Sequence, residues 1–127
     1  MKLALCLVAA AGAAALALPV QAAQAAKGGG DNTCFRSHDI RNHTVGDSHT
    51  LYFDVGGRWV YRATMSNNCL AAAVSSDPIV LRQVGGSGYV CKKIDLDVSV
   101  RGTRCIVDAL TRLTPEEAAA LPKKVRP

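Results

Sequence analysis

An all-β domain, a small antiparallel barrel or sandwich (OB-like or SH3-like) with short helical inserts and two disulfides, is what this sequence predicts. Three observations lead there. Two stretches read as β-hairpins, each folded at a glycine-containing turn. Four cysteines, Cys34, Cys69, Cys91 and Cys105, remain once the amino-terminal segment is set aside. The chain is also too short for more than one domain. Of the two architectures, the sequence favours the barrel, since closing a small sheet on itself removes its edges.

The first hairpin is Leu51-Tyr52-Phe53-Asp54-Val55, then Gly56-Gly57, then Arg58-Trp59-Val60-Tyr61-Arg62. Two β-rich runs joined by a Gly-Gly loop fit a two-residue turn. Pairing Val55 with Arg58 sets Phe53 opposite Val60 and Tyr52 opposite Tyr61. Leu51, Phe53, Val55 and Val60 then share the core face, and Tyr52, Trp59 and Tyr61 the other.

Ile94, Leu96, Val98 and Val100 alternate with Asp95, Asp97 and Ser99, the two-residue period of a half-buried strand. Arg101-Gly102 supplies the turn. Val98 then faces Cys105, Leu96 faces Val107 and Ile94 faces Ala109; a slip of one residue would set Asp108 against Leu96. Further strands are expected from Cys34 to Ile40 and from Ile79 to Val84, the latter reversing at Gly85-Gly86-Ser87-Gly88 into Tyr89-Val90-Cys91. Cys69 to Val74 reads as one or two helical turns capped by Asn67 or Asn68. Thr114-Pro115-Glu116-Glu117 starts a short helix, with Thr114 capping, Pro115 at the first helical position and Glu117 closing a capping box.

The amino terminus predicts the compartment. Met1-Lys2 precedes an apolar run from Leu3 to Leu18, broken at Pro19. Val20-Gln21-Ala22 and Ala23-Gln24-Ala25 offer small residues to a signal peptidase. The run is short for a spanning helix. Residues 1–25 are therefore expected to be a signal peptide, 26–33 a flexible lead-in, 34–121 the stapled β domain and 122–127 a solvated basic tail. Cys6 leaves with the leader, and no membrane span remains after cleavage. An even cysteine count in a small exported chain is a disulfide framework, so the periplasm or secretion is the expected location.

Four cysteines allow three pairings. Cys91 lies seven residues before Val98, the partner of Cys105. At about 3.3 Å per residue that is roughly 23 Å of strand, far beyond disulfide reach. Excluding Cys91–Cys105 leaves Cys34–Cys105 with Cys69–Cys91, or Cys34–Cys91 with Cys69–Cys105; a barrel closing its first strand on its last favours the former. No two cysteines show the C-x₂₋₄-C spacing of zinc sites or a redox C-x-x-C.

Val45-x-Asp47, Leu51-x-Phe53, Cys69-Leu70, the acidic-alternating strand after Cys91 and the Leu113-Thr114-Pro115-Glu116-Glu117 ending together resemble a family of small exported four-cysteine bacterial proteins classed as a domain of unknown function. The resemblance runs from Cys34 to about Leu121. It implies a compartment and a stapled fold, and carries no catalytic residues with it.

The formal net charge is +5, one unit of which, Lys2, leaves with the leader. That permits attraction to anionic surfaces without specifying one. His38, His43 and His49, with Asp39 and Asp47, offer imidazole and carboxylate to a transition metal, but their spacing fits no single strand or helix face and suits solvated loop histidines better. Tyr52, Trp59 and Tyr61, flanked by Arg58 and Arg62, offer a ligand face on which bases or sugars would stack; the competing reading packs these rings into a minor core. Gly86-Ser87-Gly88 lacks the nucleophile-elbow pattern, and no phosphate loop is present. The expectation is a non-catalytic binding or structural module of the bacterial envelope, with no cofactor and an envelope partner the sequence does not name. Metal binding through the histidines and glycan or nucleic-acid binding through the aromatic face are the alternatives.

Overall fold

A computed structural model describes residues 34–127; the leader and lead-in expected at 1–33 lie outside the described residues. Nine short strands hold just under half of the described residues: β1 (Phe35–Arg36), β2 (Ile40–Asp47), β3 (Thr50–Val55), β4 (Trp59–Met65), β5 (Ile79–Gln83), β6 (Tyr89–Val90), β7 (Leu96–Val100), β8 (Thr103–Cys105) and β9 (Val107–Arg112). One α-helix, α1 (Pro115–Ala120), and three single 3-10 turns complete it. The strands form a four-stranded sheet in the order β2-β3-β4-β9, a three-stranded sheet β5-β7-β8 and a two-stranded ribbon β1-β6. All pairings are antiparallel. The two larger sheets share one core, with Leu51, Phe53, Tyr61, Ala63 and Met65 from one and Leu96, Val98, Val100 and Cys105 from the other. The arrangement is sandwich-like. No closed barrel forms, because β1 pairs with β6 and not with the last strand.

That same ladder sets the disulfides. Phe35 faces Val90 and Arg36 faces Tyr89; one step further along, Cys34 meets Cys91 and the two are bonded. Cys69 bonds Cys105. The favoured pairing, Cys34–Cys105 with Cys69–Cys91, is thus replaced by the other surviving one, while Cys91 and Cys105 stay apart as expected.

The β7–β8 turn matches its expectation: Val98 faces Cys105 and Val100 faces Thr103. Arg101 (φ 50°) and Gly102 (φ 79°) both sit in the left-handed region that a primed two-residue turn requires. Beyond Cys105 the expected register ends. Ile94 is taken up by a 3-10 turn at Lys93–Asp95, whose Asp95 carboxylate accepts from the amides of Cys91 and Lys92 at 2.9 Å each. Those bonds hold the Asp95 carboxyl below its ordinary pKa. The chain leaves the small sheet at Ile106, and Val107 pairs instead with Met65. At this corner the Asn67 side chain stands in for a strand partner, donating to Arg104 O at 3.0 Å and accepting from Ile106 N at 2.8 Å. One continuous stretch therefore serves both sheets.

The β3–β4 hairpin differs by one residue. Val55 faces Trp59, not Arg58, so Phe53 faces Tyr61 and Tyr52 faces Arg62. Gly56 and Gly57 are both left-handed, the Arg58 amide donates to Val55 O at 3.2 Å, and Arg58 remains in the loop. The shift buries Tyr61, Ala63 and Met65 in place of Val60, Arg62 and Thr64. Keeping the Arg62 guanidinium out of the core outweighs the shorter loop, because an unpaired buried charge is far costlier than one added loop residue.

Two local expectations change. Cys34 to Ile40 is not one strand: β1 stops at Arg36 and a 3-10 turn precedes β2. Residues 69–74 form turns and no helix, yet Leu70 is fully buried there. The α1 start matches the expected cap, with Thr114 Oγ1 accepting from Glu117 N and Glu117 Oε2 accepting from Thr114 N. The segment read as a frayed tail is packed. Val125 is buried, its carbonyl accepts from Thr44 Oγ1 at 2.5 Å, and Arg126 donates to the carbonyls of Ala119 and Leu121. Leu113 and Val125 cover the outer side of the four-stranded sheet, away from the main core.

Candidate functional site

The register decides the fate of the aromatic face. Tyr61 turns inward and is buried, stacked on Phe53 at 5.7 Å and against Phe35 at 4.5 Å between ring centroids. Tyr52 and Arg62 pair on the opposite, outer face of the sheet. Trp59 stays at the core face's open end, 36% exposed. The expected set of Tyr52, Trp59, Tyr61, Arg58 and Arg62 is therefore divided, and only Trp59 and Arg58 remain together.

The histidines are likewise separated. His38 lies in the 3-10 turn before β2, 3.5 Å from Asp39. His43 points from β2 toward the core side opposite Phe53, its Nε2 buried and without a hydrogen-bond partner among the described residues. His49 sits in the β2–β3 turn, its Nδ1 3.2 Å from Met65 O. Among the described residues, no group of three or more His, Cys, Asp or Glu side chains is placed to hold a metal ion.

What the fold assembles instead is a cleft where the β1–β6 ribbon meets the β3–β4 turn. Its volume is 380 Å³, and Arg36, Asp39, Arg58, Trp59 and Tyr89 line it over a floor that includes Phe35. Each wall is held by the backbone. The Cys34–Cys91 bond closes the ribbon. Ser37 N donates to Gly88 O at 3.0 Å, and Gly56 N donates to Asp39 O at 2.8 Å, which fixes the β3–β4 turn against the 3-10 turn that bears Asp39.

Two rings are presented. Tyr89 is 43% exposed; Arg36 Nε donates to its hydroxyl at 3.0 Å, and the guanidinium lies 5.4 Å from its centroid. That contact raises the Arg36 pKa further above its already high value. Arg112 lies 4.5 Å from the Trp59 centroid, close enough for a cation–π contact that orients the indole. Burial pushes the Tyr61 phenol up, while the neighbouring Arg112 guanidinium opposes the rise. Arg58 spends none of its side-chain donors on another described residue.

A larger apolar groove of 520 Å³ lies by Val84, Ile94 and Ile106. The ion pairs Lys93–Asp108 and Arg104–Asp97 flank it, so its charges are spent on each other and what it presents is apolar. The smaller cleft is the better candidate because neither of its arginines is held in an ion pair among the described residues: Arg58 is uncommitted, and Arg36 commits only Nε, to the Tyr89 hydroxyl.

Sequence reading missed Arg36 and Tyr89, and singled out Asp39 only as a carboxylate beside the histidines. Taking Cys34 with Cys91 would have placed Arg36 beside Tyr89, two positions along an antiparallel ribbon. No family model, curated protein or solved structure matches this chain. Among the described residues no helix is long and apolar enough to cross a membrane.

Proposed function

We propose that this protein is a non-catalytic binding module exported to the bacterial envelope or beyond, and that it holds a small ligand in the Trp59–Tyr89 cleft. The observation that carries the reading is the convergence of two half-exposed rings and two guanidiniums at a junction fixed by a disulfide. Guanidiniums hold anions and exchange no protons near neutral pH, which suits binding rather than acid–base chemistry. The leader-like amino terminus and the two disulfides support export.

Export is tested by intact mass: the mature chain begins at Ala23 or Ala26 and is four hydrogens lighter than its reduced form. Binding is tested by thermal shift with the small-molecule fraction of an envelope extract. A stabilisation that Arg36→Ala and Trp59→Ala remove supports the cleft; no stabilisation from any fraction overturns it.

A further inference from the structure

Resting on that reading of the cleft, we propose that its ligand is an acidic sugar, a pyranose unit bearing a carboxylate. Three features of the lining divide the work. The indole of Trp59 and the phenol of Tyr89, both partly exposed, offer flat apolar faces on which the C–H face of a sugar ring packs. Arg58 has its whole guanidinium free, and Arg36 commits only Nε. A guanidinium fork matches a carboxylate with two parallel hydrogen bonds, stronger than neutral ones. Asp39 adds an acceptor, suited to a ligand rich in hydroxyl donors.

The arrangement of rings and cations argues against nucleic acid. Single-stranded nucleic acid is held by successive stacking rings along a cationic groove. Here Lys93, Arg101 and Arg104 are each paired with an aspartate away from the cleft, and the two rings meet in one place. The volume of 380 Å³ lies near the lower end of ligand pockets, the scale of one or two sugar units and not of a long chain.

The experiment follows Trp59, the single tryptophan, by fluorescence, with calorimetry alongside. Three probes are titrated into the mature, oxidised protein: a galacturonic acid trisaccharide, the neutral galactose trisaccharide and trideoxythymidylate. The expected result is binding of the galacturonate with a change in Trp59 emission, weakened by salt. Arg58→Gln should weaken it roughly tenfold or more and leave the melting temperature unchanged, since Arg58 lies in an exposed turn. Equal binding of the neutral trisaccharide, with Arg58→Gln indifferent, overturns the acidic class. Tighter binding of trideoxythymidylate overturns the sugar. Silence from all three probes also overturns the acidic sugar. In each of these cases the extract-induced stabilisation decides separately whether the cleft is a binding site at all.

Discussion

Removing the Cys69–Cys105 bridge should destabilise the domain more than removing Cys34–Cys91, although chain entropy alone ranks them the other way. The two bridges close stretches of 36 and 57 residues. Cross-linking entropy for loops of these lengths is worth about 4 kcal/mol each, and the longer loop leads by only about 0.4 kcal/mol. Burial reverses the order. Cys105 is buried among Leu96, Val98 and Val100 in the shared core, whereas Cys34 and Cys91 are exposed. Replacing Cys105 by alanine leaves a void where its sulfur packed, costing about 1–2 kcal/mol on the usual cavity scale. It also frees the 66–78 segment that holds Leu70 in the core. The Cys69→Ala/Cys105→Ala pair should therefore lose about 1 kcal/mol more than Cys34→Ala/Cys91→Ala. Urea unfolding of both double variants, fitted with a shared m-value, measures the gap. Equal losses, or a larger loss for the exposed bridge, would refute the claim that core packing outranks loop length here.

Gly102→Val should cost about 1–2 kcal/mol or more, since a β-branched residue resists the φ of 79° that the β7–β8 turn imposes; thermal unfolding reads it, and an unchanged melting temperature would deny the primed turn. Thr44→Val keeps the shape but leaves the Val125 carbonyl without its donor, a loss of about 1–3 kcal/mol. It should appear first as faster hydrogen exchange at the Val125 amide, which is bonded to Pro122 O. The Asp95 carboxyl is held below its ordinary value of 3.8 by the amides of Cys91 and Lys92. A depressed folded pKa contributes stability above the unfolded value, and that contribution is lost as pH falls through the folded one. Asp95→Asn should flatten the fall in melting temperature below pH 3.8 while lowering stability at neutral pH. Asp47 and Asp77, also depressed by backbone amides, keep some slope in place.

Local chemistry was the legible part of this sequence. The alternation from Leu96 to Val100, the Arg101-Gly102 turn and the Thr114–Glu117 cap each state their geometry within a few residues, and each appears as read. The β3–β4 register was legible too, in the pattern Tyr61-x-Ala63-x-Met65, whose alternative would have sent Arg62 inward; the Gly-Gly pair concealed it by fitting a shorter loop. The β1–β6 ribbon was not. Two residues pair with two others more than fifty positions along the chain, too short a ladder to leave a periodic trace, and with it went the disulfide pairing, Tyr89 and the cleft. The packing of Val125 was hidden in the same way, because a single apolar residue among Lys123, Lys124 and Arg126 resembles a solvated tail until the outer face of the sheet it covers is known.

The two bridges interleave along the chain: Cys34 reaches past Cys69 to Cys91, and Cys69 reaches past Cys91 to Cys105. A single backbone cut anywhere between Cys34 and Cys105 therefore leaves both fragments joined. Between Cys69 and Cys91 they are joined twice. That doubly spanned interval holds the turns at 69–77 and the Gly85–Gly88 reversal, the kind of exposed, strand-free chain that proteases attack first. Wherever it meets a protease, a molecule nicked in that interval would keep its two halves in register and its cleft assembled.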